Sequence, residues 1–480
     1  MNIPIMLATI EEYIITSNNL KPDDGFTPHI VSMYQDITNE SIFMLKSSEQ
    51  AAHYAELAVA KKPALIITDI ALAESSIPVV VVSDFAAVAN QLIRLLYDDA
   101  ISRLKFIAVT GTNGKTTTSH MIAKLLTCSG QKTGIIGTLG IFDCHYHKLD
   151  FNHSTQTTPM YFELAEIIKY FAEEAYDYIV YEATSIALDQ QRTDFISNDL
   201  AVFTNFSPEH LEYHGTMASY LQAKLRLDAL SKDNIVNMDT REYHSLAQGP
   251  FHFSSNADTY YQFNLHDDYI DLKVGSEQHR LYPSFFGEHN YINISTSVFA
   301  LHKLGFPINQ LLKYAGEVQP PVHRFEVLDI QGYEFILDFA HTPVAVNESI
   351  HNALKYAARQ QKNLNVMVTG IGLRGFDKIM LTVKQLPPGV HQLMLAAEQV
   401  GYVEPETIMT TMIDHLTDCY NSDHVLSSPS RKEGISQLIK ATDPAEDIIL
   451  LTGINEPQHF RGSTIEHDDQ QYIKQLLCDH

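Results

Sequence analysis

The sequence predicts an α/β protein with a phosphate-binding parallel sheet at its centre, on three observations. The first is the stretch Lys105-Phe106-Ile107-Ala108-Val109-Thr110-Gly111-Thr112-Asn113-Gly114-Lys115-Thr116-Thr117-Thr118. There an apolar run suited to a buried strand breaks into a glycine turn and resumes as a helix-like segment, Thr117 to Leu126. The second is the alternation of short apolar runs and amphipathic segments from about residue 99 to 319, which implies a parallel sheet with sites at the strands' carboxyl ends. The third is size: 480 residues, 45% of them hydrophobic, make about three domains with real cores.

In chain order, residues 1–98 form a first unit. Glu49 to Lys61 predicts a helix, Ala64 to Ile67 and Pro78 to Val82 strands, and Asp84 to Tyr97 a helix packing through Ala87, Leu92, Ile93 and Leu96. The acidic pair Asp98-Asp99 marks the first boundary. In the second unit, 99–319, strands are expected at Gly134 to Thr138, Tyr178 to Tyr181 and Leu200 to Thr204. Helices are expected at Met160 to Glu174, Met217 to Leu230 and Asn290 to Leu304. A third unit, 320–480, opens at Pro320-Pro321. Strands Phe335 to Asp338, Leu364 to Thr369 and Asp447 to Thr452 are expected there, with helices Ala345 to Ala358 and Asp468 to Leu477.

A net charge of −25 argues against a nucleic-acid or membrane-surface partner. Cys128, Cys144, Cys419 and Cys478 have no close metal-ligand spacing and are too few for a disulfide framework. Met1 to Ile15 carries Glu11 and Glu12 and no basic segment, so no signal peptide is expected. No apolar run reaches eighteen residues. The expectation is a cytoplasmic monomer.

The chemistry starts at the glycine turn. Backbone N–H groups of such a turn, at a helix N-terminus, cradle phosphate oxygens. Lys115 is placed for the terminal phosphates and Thr116 for a magnesium ion. Val109 stands where the general phosphate-loop signature has its first glycine, so the match is to a variant, TGTNGKTT. Glu182 closes an apolar strand, where a carboxylate suits magnesium. His210 and His214 lie on the loop after the next strand. Lys224, among Leu221, Ala223, Leu225 and Leu227, reads on its own as a lysine snorkelling from an apolar helix face.

In combination these segments resemble the Mur ligase family, and within it the ligases that add the third residue to a UDP-N-acetylmuramoyl-dipeptide. The motifs are TGTNGKTT at 110–117, TTP at 157–159, TNxxxEHLEYHG at 204–215 and Tyr220-xxx-Lys224. Further on, Gly287-Glu288-His289-Asn290-Tyr291-Ile292-Asn293 resembles the family's GxFNxxN. His323-Arg324-Phe325-Glu326 resembles GRxE, and Asp338-Phe339-Ala340-His341-Thr342-Pro343 resembles DYAHTP. The resemblance implies three α/β domains: an N-terminal substrate domain, a central phosphate-loop domain and a Rossmann-like C-terminal domain that closes over the centre. It implies ATP and Mg²⁺, a carboxylate acceptor (UDP-linked or not), an acyl phosphate and an incoming amino acid.

By that resemblance Gly111, Thr112, Asn113, Gly114, Lys115, Thr116 and Thr117 hold phosphates. Thr116, Glu182 and His210 serve magnesium, and Lys224 is a carbamylated lysine holding a second ion. Asn290 and Asn293 meet the adenine, Arg324 the γ-phosphate and Asp338 the ribose; Lys115, Lys224, His210 and Arg324 are the catalytic set. Thr157, Thr158, Ser185, Arg192, His341, Glu398 and Glu456 are substrate contacts.

The departures from the family fall on substrate recognition. The family's EVSSHAL appears as Glu182-Ala183-Thr184-Ser185-Ile186-Ala187-Leu188, with isoleucine for histidine. Its N-terminal DSR falls at Met33-Tyr34-Gln35, and its diaminopimelate-selecting DNPR at Glu398-Gln399-Val400-Gly401, without an arginine. Its late GKGHE is reduced to Gly453-Ile454-Asn455-Glu456. Other activities open at this point are a diverged ligase acting on a non-UDP substrate in secondary metabolism and a phosphate-loop NTPase used as a switch or binding subunit.

Overall fold

The computed structural model describes residues 2–20, 29–48, 50–72, 76–454 and 457–478. They divide into two compact units. One comprises 1–264, 271–281 and 293–315, and the other 265–270, 282–292 and 316–480. No helix among the described residues is long and apolar enough to cross a membrane.

The first unit carries two large sheets. The N-terminal one has the order Ile14–Asn18, Val79–Val82, Leu65–Thr68, Ser41–Leu45, His29–Val31, parallel except for its first strand. The expected helix appears as Ala51–Lys61; Glu49, its predicted start, lies outside the described residues. Helix Phe85–Ser102, capped by the Asp84 carboxylate, runs through Asp98-Asp99, so the acidic pair is helical rather than a linker.

The central sheet has seven strands, in the order Asn234–Val236, Leu200–Phe203, Lys105–Thr110, Tyr178–Glu182, Thr133–Gly137, Gly140–Phe142, Lys148–Leu149. The first five are parallel, Gly140–Phe142 returns antiparallel to them, and Lys148–Leu149 pairs antiparallel with it in turn. Register brings functional strand ends level: Glu182 pairs with Val109, and Phe203 with Thr110. Both faces are covered, so the phosphate-loop strand is buried from Phe106 to Thr110, as its unbroken apolar run requires. A four-stranded sheet within 253–281 was not legible in the sequence.

The second unit holds a six-stranded sheet: Arg324–Ile330, Tyr333–Asp338, Asp447–Thr452, Asn363–Ile371, Gln392–Glu398, Val425–Ser428. Its first pair is an antiparallel hairpin and the rest is parallel. Helix Pro343–Gln360 begins two residues before the predicted start because Thr342 caps it and Pro343 takes its first position.

Candidate active site

The phosphate loop is shaped by what only glycine can do. Gly111 and Gly114 have φ of +148° and +81°. A Cβ on Gly111 would sit 1.9 Å from Thr204 Oγ1, and one on Gly114 2.6 Å from Asn293 Oδ1. The loop leans on the end of the neighbouring strand. The Asn113 N–H donates to Asn205 Oδ1 (2.8 Å), the Thr112 N–H to the Asn205 carbonyl (2.9 Å), and Thr204 Oγ1 to the Asn113 carbonyl (2.7 Å). Lys115 Nζ donates to the Gly111 and Thr112 carbonyls, at 3.0 and 2.9 Å. Helix Lys115–Cys128 starts directly behind, with Thr116, Thr117 and Thr118 buried.

Glu182 is fully buried and held at both oxygens. Thr116 Oγ1 donates to its Oε2 at 3.0 Å, and the Thr138 N–H to its Oε1 at 2.8 Å. A donating hydroxyl keeps its lone pairs, so Thr116 and Glu182 can face one cation together. No group of three or more His, Cys, Asp or Glu suited to a metal occurs among the described residues. A carboxylate and a hydroxyl beside a phosphate cradle are a magnesium donor set, since magnesium keeps waters and takes phosphate oxygens.

Lys224 corrects the snorkelling reading. It is 1% exposed, and its Nζ donates to the Gly111 carbonyl at 2.7 Å and stands 4.7 Å from the centre of the Tyr220 ring. Burial, reinforced by the Lys115 ammonium, lowers its basicity well below that of an ordinary lysine. His210 starts the short helix Leu211–His214 in a left-handed conformation, φ +54°. Burial is the main cause pulling its imidazole down to about 4, which leaves it uncharged at neutral pH.

The expected acceptor residues are in the same unit. Thr158 Oγ1 donates to the Glu182 carbonyl (2.7 Å), and Arg192 reaches the Thr158 carbonyl (2.8 Å) with its fork on Gln190 Oε1. Ser185 Oγ lies 3.0 Å from His214 Nε2, so the histidine two residues past His210's Glu212 occupies the serine that lost its family neighbour at Ile186. A cavity of about 410 Å³ is bordered by Tyr34, Lys46, Tyr54, Tyr161 and Arg192. Met33, Tyr34 and Gln35, the counterparts of the family's DSR, line it too.

In the second unit, Asn290 Nδ2 donates to the Arg324 carbonyl at 2.9 Å. The Arg324 guanidinium lies 4.8 Å from the centre of the Phe339 ring, and Arg324 pairs in register with Asp338. His341 Nδ1 lies 2.7 Å from the Phe339 carbonyl. Glu398, expected at a substrate pocket, is instead an interior residue, 1% exposed. Its carboxylate pairs with Arg431 at 3.4 Å and accepts from the Ile454 N–H at 3.1 Å. Arg431, the alternative cation for a distal carboxylate, is itself buried and bound to Asp469 at 2.5 Å. Glu456 lies outside the described residues.

Residues 109–301 match the model of the Mur ligase middle domain, and 323–455 that of the Mur ligase glutamate ligase domain. A UDP-N-acetylmuramoyl-L-alanyl-D-glutamate–2,6-diaminopimelate ligase of Geobacillus thermodenitrificans is 30% identical over 93% of this chain and 94% of its own. The chain belongs to the Mur ligase family. It is accordingly an ATP-dependent acid–amino-acid ligase. A Fusobacterium nucleatum ligase of the same description is also 30% identical, over 77% of this chain and 76% of its own. Among solved structures, a MurF of Acinetobacter baumannii shares the fold with a TM-score of 0.65 at 17% identity, covering 99% of this chain and 97% of its own. A Thermotoga maritima MurF ligase in complex with ADP gives 0.63 at 14%, covering 89% and 94%.

Residues missed in the sequence are Thr138, Asn205, Lys46 and Gln190. Asn205 alone had a signal, as the second residue of the TNxxxEHLEYHG motif at 204–215.

Proposed function

We propose that this ligase joins an amino acid to a carboxylate acceptor of the UDP-N-acetylmuramoyl-peptide class in peptidoglycan synthesis, using ATP with Mg²⁺. The acceptor carboxylate takes the γ-phosphoryl group, releasing ADP. The amine then attacks the acyl carbon, and phosphate leaves as the amide forms. Magnesium, when bound, offsets charge on the transferring phosphoryl group. Thr116 and Glu182 would hold it, with His210 as a neutral ligand, while the loop N–H groups and Lys115 would orient the phosphates. Asn290, Asn293, Arg324 and Asp338 serve the rest of the nucleotide. Thr157, Thr158, Ser185, Arg192 and His341 are the acceptor and amine contacts.

The observation that carries this reading is Lys224, an amine sealed beside the phosphate loop with its Nζ on the Gly111 carbonyl. A simple NTPase switch has no use for a buried, weakly basic lysine there. A ligase has one: the uncharged amine adds CO₂, loses a proton and becomes a carbamate that places an anion at the metal site. A second reading, an acceptor without uridine, is favoured by Met33-Tyr34-Gln35 in the N-terminal cavity. The test is phosphate release from ATP with UDP-N-acetylmuramoyl-dipeptide and a panel of amino acids, each omitted in turn. Release that needs both partners supports the reading, and release from ATP alone contradicts it.

A further inference from the structure

The strand end Gly137-Thr138 comes close against the Glu182 carboxylate. A Cβ on Gly137 would lie 2.2 Å from Glu182 Oε1, so the strand can come this near only as glycine. The next residue uses the approach. The Thr138 N–H donates to Oε1 at 2.8 Å, and Thr138 Oγ1 lies 3.1 Å from Oε2. The two bonds grip both carboxylate oxygens and fix the plane and the turn of the group. Thr138 Oγ1 is also 3.1 Å from Thr157 Oγ1.

The proton count gives this chain a direction. Glu182 only accepts, so Thr116 and Thr138 must each donate to it. The Thr138 hydroxyl proton is then committed, and Thr157 donates to Thr138. The chain runs Thr157 to Thr138 to Glu182, with Thr116 arriving from the other side. We propose that Thr138 is a positioning residue for magnesium: it aims Glu182 at the cation and links that carboxylate to the threonine loop at 157–158. The inference rests on the proposed magnesium–nucleotide site. Residues that orient a metal ligand from behind typically change metal affinity by about 10–100-fold when lost.

The experiment is calorimetric titration of ADP into the full chain over a series of Mg²⁺ concentrations. Wild type is compared with Thr138→Val, which keeps shape and backbone N–H but loses the hydroxyl, and with Thr138→Ser, which restores it. The expected result for Thr138→Val is a Mg²⁺ midpoint raised about 10-fold or more, with unchanged ADP affinity in the absence of Mg²⁺. Thr138→Ser should stay within about twofold of wild type, since its hydroxyl is retained. A Thr138→Val midpoint equal to wild type overturns the inference, as does an equal shift in Thr138→Ser. Thr138→Ala replaces the valine variant if that does not fold. Wild-type ADP binding that ignores Mg²⁺ would overturn the underlying site, and is thereby distinguished from failure of Thr138 alone.

Discussion

Lys224→Ala removes a buried amine that donates one hydrogen bond, to the Gly111 carbonyl at 2.7 Å. An ordinary lysine, with a pKa near 10.4, is uncharged in about one molecule in 250 at pH 8. Burial first, and Lys115 second, lower the basicity of Lys224, and each unit of lowering multiplies the free amine about tenfold. Only the free amine adds CO₂, so carbamate should form on Lys224 at a pH where surface lysines stay protonated, and should be lost as pH falls. Removing one preorganised charge from such a site costs about 10²–10³-fold in turnover. A short carboxylic acid, filling the space left by alanine, should restore part of it. The direct assay is ¹³C NMR of the protein in ¹³C-bicarbonate, read beside ADP formation. A carbamate resonance is expected in wild type and absent in Lys224→Ala. Wild-type protein with ADP and Mg²⁺ that gives no such resonance, and turns over undiminished in CO₂-stripped buffer, would refute the reasoning.

Lys115→Ala should lose about 10²-fold or more in turnover while keeping its thermal unfolding temperature, because its hydrogen bonds to the Gly111 and Thr112 carbonyls lie within the phosphate loop itself. Gly137→Ala should weaken magnesium-dependent nucleotide binding, since its Cβ would force Glu182 aside. Asp469→Asn should destabilise by about 3–5 kcal/mol in urea denaturation, as Arg431 keeps a single buried carboxylate, Glu398, beside the Thr452 carbonyl. Glu398→Gln should cost less, because burial already pushes that carboxyl up. Against the upward push of burial, Arg431 and His467 hold Asp469 below the usual carboxylate range. Its contribution is therefore complete above about pH 4 and declines as pH falls further, which a pH series of unfolding midpoints will show. ADP formation at equal concentrations should be no faster with diaminopimelate than with lysine or alanine. Arg431 is committed to Asp469 and Glu398, and Gly401 stands where the family's DNPR has its arginine.

The four middle strands of the central sheet were legible because they are buried on both faces and read as apolar runs, one broken by a glycine loop, whereas Asn234–Val236, Gly140–Phe142 and Lys148–Leu149 are too short to read. Gln392–Glu398 was not, since its Leu, Met and Ala residues favour helix and only tertiary pairing makes them a strand. The small sheet within 253–281 was hidden by polar, half-exposed strands such as Glu277–Leu281. At the site, residues fixed by local motif (the phosphate loop, Glu182, Lys224) could be named from sequence. Thr138 could not, because its role depends on a neighbouring strand 44 residues away. Glu398 misled for another reason: the family resemblance placed it at the DNPR position of a substrate pocket, but Arg431 from a later helix pairs with it in the interior.

The measurement that bears most directly on the account is phosphate release from ATP by the full chain in Mg²⁺, with acceptor and amine added separately and together. The account predicts negligible release from ATP alone and sustained release, matched mole for mole by new amide, only when UDP-N-acetylmuramoyl-dipeptide and an amino acid are both present. Sustained release that is indifferent to both, with no amide formed, would contradict it.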